Sequence, residues 1–410
     1  RGSPRDARIG KGELMHIAFV STQFITATVT GGLGNYLFRV SLSLVERGHK
    51  PTIFMISAED SIEEVRGIRL VRVAGKKHNP VRRWTSGVRH ANAFHSKLLN
   101  KAIRDLHKTD PIDVVQYTNY RATALYRVSE IPSVMRTSSF RPLWDRYHPT
   151  AGNSPSRKRA AKLERESFRK VDRIYSPSRV LAEAITGALG LSVDVIEPPF
   201  VLDETELDHS LVEQTVGSVP FVFFAGSLTR RKGVEALAEA LPIILRRHRD
   251  LHFVSVGKSE EYGNGTTFDL IRQRLGDMSD RAHFVPPTPH ATLYPFYQRS
   301  RVVALPSVID NIANTGLEAM ALGATVVGTD GGSFEQLIED GIHGFLCVPN
   351  DPETLVSAIE RALRLSADQR AEIAANARDR IGQLAPQVTI PRLVEYYRET
   401  IDRFHRQSEE

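Results

Sequence analysis

Two carboxylates with seven residues between them, Asp310 and Glu318, and two adjacent cations, Arg231 and Lys232, are the side chains of this sequence best suited to hold a polar ligand. Carboxylates accept hydrogen bonds from sugar or ribose hydroxyls, a guanidinium forks two phosphate oxygens, and an ammonium adds a mobile point charge. Both sets sit in loops that leave an apolar run and lead into a helix. Phosphate and polyol recognition side by side describe a nucleotide sugar.

The elements that must position them can be read from the apolar pattern. Val302 to Leu305 is a short buried strand stopped by Pro306, and a polar loop with Asp310, Asn311 and Asn314 follows. Thr315 to Leu322 reads as a helix with Gly323 just past its end, and Ala324 to Gly328 as a second strand. Asp310 before the helix and Glu318 in its first turn then face one crevice at the carboxyl end of a strand, where open α/β sheets bind ligands. Backbone N–H groups at the helix start suit a phosphate. Thr315 and Glu318 also fit a helix capping box, which would need no ligand; the intact spacing from Asp310 to Glu335 outweighs that reading. Upstream, strand Phe221 to Gly226 leads through Ser227-Leu228-Thr229-Arg230-Arg231-Lys232-Gly233 into an apolar helix. Strand, basic loop and helix start make a diphosphate site; the plainer reading is a helix start with incidental exposed charge.

At these residues the sequence resembles the nucleotide-sugar signature of family 4 glycosyltransferases of the GT-B fold. That signature is an acid, seven positions, Glu in a Leu-Glu-Ala-Met-Ala-x-Gly helix, then Gly-Gly-x-x-Glu. Here these are Asp310, Glu318 within Leu317 to Gly323, and Gly331, Gly332 and Glu335. The family's first acid is commonly Glu; Asp310 keeps the charge and shortens the reach by one methylene. The family's Gly-Arg-Leu has Ser227 in place of Arg, while Lys232-Gly233 stands.

The resemblance implies roles residue by residue. Arg231 and Lys232 would take the donor diphosphate and, with Asp310, carry the catalysis. Asn311, Ile312, Ala313, Asn314 and Thr315 would line the phosphate and sugar, with Asp310 on sugar hydroxyls and Glu318 on the ribose. Gly257, Lys258 and Val285 would lie near the base. Gly31 and Gly32 would lie over the diphosphate and acceptor. Many members carry a His on the loop after the strand Ser133 to Thr137; this chain has Ser138 and Ser139 there, and they are the acceptor-side candidates, with His148 nearby.

Composition bounds the rest. A chain of 410 residues with 41% hydrophobic and 25% charged residues fits a globular protein of two domains. The single cysteine, Cys347, excludes an internal disulfide framework, fits a reducing compartment and reads as a small buried residue. No run approaches the roughly 18 apolar residues that span a bilayer. Residues 1–14 read as a disordered leader or tag ahead of the first strand. The formal charge of +6 is modest for nucleic-acid binding and compatible with phosphate-bearing ligands.

In chain order, Met15 to Ser21, Thr52 to Ile56, Ile68 to Val73, Asp113 to Tyr117 and Ser133 to Thr137 read as strands of a first sheet, and Arg173 to Pro177 with Ser178, a helix from Val180 and a strand Val193 to Glu197 resemble the stretch that closes the first domain in the family. The glycine loop at Gly31-Gly32-Leu33-Gly34 opens the first helix but fails as a dinucleotide fingerprint, because the third glycine would fall on Leu37. Lys76, Lys77, Arg82, Arg83, Trp84 and Arg89 form a basic stretch. It reads as a solvated face, or else a surface for an acidic acceptor or an anionic membrane. Pro198, Pro199 and the acidic segment Asp203 to Glu213 mark a domain boundary. Leu251 to Gly257, His283 to Val285 and Val302 to Leu305 continue a second parallel sheet, and a last helix, Ile390 to Phe404, carries Leu393, Val394, Tyr397 and Ile401 on one face.

The expected architecture is α/β with two facing Rossmann-like domains: 15–200 for the acceptor, 201–385 for the donor, and 386–410 as a helix returning to the first. The resemblance implies transfer of a hexosyl group from a nucleoside diphosphate sugar, UDP by family frequency, to an unknown acceptor hydroxyl with retention of configuration. No cofactor is expected, and with no Asp-x-Asp no metal. No nucleic acid is expected as partner, and the location is cytoplasmic or peripheral at the inner membrane face. The alternatives are a sugar-nucleotide epimerase or phosphorylase on the same architecture, and a non-catalytic basic-surface binding protein.

Overall fold

The computed structural model describes residues 13–22, 32–75, 90–145 and 154–409. Gly31, His148, the basic stretch Lys76 to Arg89 and most of the expected leader lie outside them. Two compact units share the chain: residues 1–143, 150–199 and 386–410 in one, and 144–149 and 200–385 in the other.

In the first unit β1 (His16–Val20) leads to α1 (Gly32–Val45), then β2 (Lys50–Ser57), β3 (Ser61–Val65), β4 (Ile68–Ala74), α2 (Ala91–His107), β5 (Val114–Thr118) and β6 (Ser133–Arg136). After α3 (Pro155–Phe168) come β7 (Arg173–Ser176), α4 (Arg179–Leu189) and β8 (Asp194–Val195). The sheet order is β3-β4-β2-β1-β5-β6-β7-β8, so the chain reverses direction across the sheet between β1 and β5. All pairings are parallel except β3 with β4. That antiparallel edge strand was not apparent in the sequence, because SIEEV shows no buried face: its residues are exposed or half-buried.

The C-terminal helix, Pro386–Glu409, completes this unit. Its Leu393, Val394, Tyr397 and Ile401 share a core with Tyr36, Leu37, Val40 and Leu44 of α1. Each such buried side chain contributes roughly 1.5–3 kcal/mol. Deeper in, Gln116 Oε1 accepts hydrogen bonds from both Tyr175 Oη and Tyr397 Oη at 2.6 Å. Tyr36 Oη lies 2.9 Å from Tyr175 Oη, and the Arg136 guanidinium stacks 3.6 Å above the Tyr36 ring. Helix and sheet are thus joined through one amide oxygen.

The second unit runs α5 (Ser210–Val216), β9 (Phe221–Ala225), α6 (Val234–Arg247), β10 (His252–Val256), the hairpin β11 (Glu261–Tyr262) and β12 (Gly265–Thr266), and α7 (Thr267–Leu275). It continues with β13 (Ala282–Val285), α8 (His290–Arg299), β14 (Val302–Ala304), α9 (Asn314–Ala321), β15 (Val326–Thr329), β16 (Phe345–Cys347), α10 (Pro352–Leu363) and α11 (Ala367–Gly382). The parallel sheet has the order β13-β10-β9-β14-β15-β16. Strand β9 is apolar throughout because both its faces are covered: Phe221, Phe223 and Ala225 enter one core, and Val222 and Phe224 the other. Cys347 is buried, and burial pushes its thiol up to about 12. Among the described residues no helix is long and apolar enough to cross a membrane.

Candidate active site

The strand order of the second unit switches direction between β9 and β14, and the loops leaving these strands carry Arg231, Lys232 and Asp310. A crevice forms at such a switch because neighbouring connections leave to opposite sides. The basic turn is built locally. Thr229 Oγ1 accepts the Lys232 N–H at 3.2 Å, and Glu260 Oε1 accepts the Arg230 N–H at 2.7 Å. Gly233 follows with φ 77°, and a Cβ there would lie 1.8 Å from the Pro306 carbonyl oxygen. Only glycine lets the turn press onto the loop after β14. The two loops are then tied by the Val308 N–H to the Arg231 carbonyl at 2.9 Å.

The outcome is that both cations meet one carboxylate. Lys232 Nζ donates to Asp310 Oδ2, Arg231 Nη1 lies 3.5 Å from Oδ1, and the Asn311 N–H donates to Oδ1 at 3.0 Å. Arg231 Nη1 also donates to the Ile309 carbonyl at 3.3 Å. Asp310 is 13% exposed. Burial raises its carboxyl, but Lys232 and Arg231 outweigh it, and the group sits below the ordinary carboxylate value. Two fixed cations beside one anion leave a net positive edge suited to a ligand that brings both phosphate and hydroxyls.

Helix α9 begins beside this cluster with Ala313 as N-cap and no side-chain cap. Its first N–H groups are therefore available to an anion. The capping-box alternative does not form: Thr315 lies inside the helix, and Glu318 is its fifth residue, in the second turn rather than the first. Glu318 is 6% exposed, accepts from Tyr297 Oη at 3.1 Å and lies 3.7 Å from His290 Nε2. Burial and the adjacent carboxylate push the Tyr297 phenol well above its ordinary value, so it stays a donor.

Ile312 holds φ 58° and Ser333 φ 87°, and the Ile312 N–H reaches Ser333 Oγ at 3.3 Å. A β-branched residue in the left-handed region is strained by about 1–3 kcal/mol. Glu335 closes the adjoining glycine turn, accepting the Gly331 and Ser333 N–H groups at 3.0 Å on Oε2. Burial raises its carboxyl against the pull of those donors.

The wider edge follows from close backbone contact. A Cβ on Gly257 would lie 2.0 Å from the Gly226 carbonyl oxygen, and the Gly257 N–H bonds the Val285 carbonyl at 2.9 Å. Lys258 is exposed there and Val285 buried.

The family description Glycosyl transferases group 1 matches residues 219–364, which contain this site. Glycosyltransferase Family 4 matches residues 30–204, in the first unit. The chain is a family 4 glycosyltransferase of GT-B type.

An uncharacterized glycosyltransferase of Methanocaldococcus jannaschii is 23% identical over 365 residues, covering 85% of this chain and 89% of that one. Sucrose-phosphate synthase from Thermosynechococcus elongatus superposes with a TM-score of 0.72 at 18% identity, over 94% of this chain and 98% of its own. Anabaena HepE, solved in complex with UDP, superposes with a TM-score of 0.68 at 18% identity, over 93% and 99%.

In this glycosyltransferase, Arg231, Lys232, Asp310 and Asn311 come together, with Ile312 to Thr315 beside them. Gly257, Lys258 and Val285 lie along the ends of the adjoining strands, and Glu318 points to Tyr297. Gly32, Ser138 and Ser139 belong to the other unit. There Gly32 opens α1, and the Ser138 N–H and the Ser139 carbonyl bond the side chain of Asn119. Asn119, Ser333, Tyr297 and His290 were missed from sequence. Asn119, Tyr297 and His290 lie outside the signature and Ser333 at one of its variable positions, and each acts through a partner distant in the chain, so no local spacing reveals them.

Proposed function

We propose that this glycosyltransferase moves a hexosyl group from a nucleoside diphosphate sugar, UDP-linked, to an acceptor hydroxyl with retention of anomeric configuration. The observation that carries this reading is the meeting of Arg231, Lys232 and Asp310 beside the uncapped start of α9. The bond from the anomeric carbon to the diphosphate oxygen breaks, and charge builds on the leaving diphosphate. Arg231, Lys232 and the α9 N–H groups stabilise that charge. The acceptor oxygen forms the new bond on the face the diphosphate leaves, and its proton passes to a phosphate oxygen. Asp310 would hold sugar hydroxyls and Glu318 the ribose. The basic side chains supply the counter-charge without a divalent metal. UDP is favoured because a solved neighbour holds it.

Thermal unfolding with uridine, guanosine and thymidine diphosphates beside NAD tests the reading. A ligand at 100 times its dissociation constant adds about 2.7 kcal/mol of stability. Stabilisation by UDP, lost in Arg231→Ala, is expected; stabilisation by none of the diphosphates would refute a donor site here.

A further inference from the structure

The acidic segment from Asp203 to Glu213, which marks the domain boundary in the sequence, reaches into the second unit at its first residue. Asp203 Oδ2 lies 2.6 Å from His290 Nδ1, and the Asp203 N–H donates to Tyr294 Oη at 3.3 Å. A carboxylate only accepts, so Nδ1 carries a proton and donates it. The tautomer is thereby fixed, and Nε2 is left on the opposite edge of the ring.

That edge faces Glu318. His290 Nε2 lies 3.7 Å from Glu318 Oε1, while Tyr297 Oη donates to Oε2 of the same carboxylate at 3.1 Å. Each oxygen of the buried carboxylate thus has its own neighbour on α8, His290 at the start of the helix and Tyr297 two turns further on. The imidazole plane is set as well. His290 stacks on Tyr294, one turn along, with ring centres 4.9 Å apart and planes 11° from parallel. Pinned at one edge by a carboxylate and on one face by a phenol, the ring has little freedom to turn away.

Anchoring the segment does not account for this arrangement. The Phe200 N–H already donates to the Leu384 carbonyl and the Asp208 N–H to the Ala291 carbonyl, both at 2.9 Å, and Leu202, Leu207 and Leu211 pack on the core of the second unit. Side chains 30% and 50% exposed, as those of His290 and Asp203 are, add little stability by pairing. Nor is the pair a helix cap, since α8 begins after Pro289 with no side-chain cap. What the pair supplies is direction. A carboxylate behind an imidazole sets which nitrogen works and where it points.

We propose that His290 is a positioning residue for the nucleoside: held by Asp203 and Tyr294, it orients the Glu318 carboxylate to accept the ribose hydroxyls. The donor site then tells ribose from deoxyribose through a side chain that acts by way of Glu318, and through an aspartate from the segment joining the two units. The proposal rests on the reading of Glu318 as the ribose contact.

Calorimetric titration of the full chain with UDP and 2′-deoxy-UDP tests it. The wild-type protein should prefer UDP at least about tenfold, the scale of one charge-assisted hydrogen bond, and Glu318→Gln should lose most of that preference. His290→Phe keeps a ring on Tyr294 and removes both nitrogens. It should reduce the preference at least about threefold by weakening UDP, with 2′-deoxy-UDP held within about twofold, and Asp203→Ala should act in the same direction. A damaged fold would instead weaken both nucleotides alike, and that result in His290→Phe would overturn the positioning role. Full preference in His290→Phe alongside its loss in Glu318→Gln would also overturn that role, and would leave the ribose reading of Glu318 standing. Preference retained in Glu318→Gln, or absent from the wild-type protein, would overturn the ribose reading and the proposal with it.

Discussion

The backbone N–H of Ile312 meets the hydroxyl of Ser333 at 3.3 Å, and both residues hold left-handed backbone angles. Two strained residues from different loops thus hold each other beside Asp310. Ser333→Ala leaves a buried N–H without its acceptor and should cost about 1–3 kcal/mol in urea unfolding. Ile312→Gly relieves the strain but gives up a buried side chain, terms of similar size and opposite sign. Its stability should stay within about 1 kcal/mol of wild type. Its freed loop should nonetheless weaken UDP binding, and unchanged UDP affinity would show that the strain serves no binding purpose.

Asp310→Asn removes the anion shared by Lys232 and Arg231 while keeping the shape. Turnover should fall at least about 100-fold, the scale seen when one preorganised polar group is lost. UDP binding should hold or tighten, since both cations are released to the diphosphate. The same variant changes acid stability. The folded carboxyl lies below its unfolded value of about 3.9, so its contribution is complete above that pH and lost as pH falls through the folded value. Asp310→Asn should therefore lose less stability than wild type on acidification below about pH 4.

Histidines set a second pH window. His252 and His283 stack with ring centres 5.1 Å apart, and Nδ1 of one lies 2.8 Å from Nε2 of the other. Burial lowers both, and the charge of His283 further lowers His252. His16 in the first unit is lowered by burial against the pull of Asp110. The unfolded chain takes up these protons near pH 6.5 while the folded one does not. Stability is then complete above about pH 6.5 and declines as pH falls toward the folded values. Melting temperatures from pH 8 to 5 should show the decline, with a smaller slope in His283→Gln.

Gln116→Leu strips the acceptor shared by Tyr175 and Tyr397. Tyr397 loses its acceptor, at about 1–3 kcal/mol, while Tyr175 keeps Tyr36 Oη at 2.9 Å. Urea unfolding should register that cost, and Tyr397→Phe only a fraction of it, because Gln116 keeps its bond from Tyr175.

The sequence was most readable where burial is two-sided. FVFFA of β9 and VVA of β14 admit no reading but buried strands, so the switch point and its basic and acidic loops could be located. It was least readable where contacts decide. Ser61–Val65 pairs only at an edge, and Phe345–Cys347 is too short to separate from a loop by pattern. Thr315 and Glu318 have the spacing of a capping box, but Tyr297 supplies Glu318 with a tertiary partner. The pairing of Lys232 with Asp310 was not foreseen either. Spacing showed two charged loops, and the contact of Gly233 with Pro306 and the bond from the Val308 N–H to the Arg231 carbonyl show how closely they meet.

The helix Pro386–Glu409 gives the chain an order of assembly. Tyr397 and its neighbours fill a core opened by Met15 and Ile17 nearly four hundred residues earlier, whereas the second unit is closed by residue 385. During synthesis, which proceeds from the N-terminus, the second unit can fold while the first still exposes the apolar face of α1. A nascent chain halted near residue 385 would therefore hold a closed second unit and a first unit whose α1 still lacks its apolar cover.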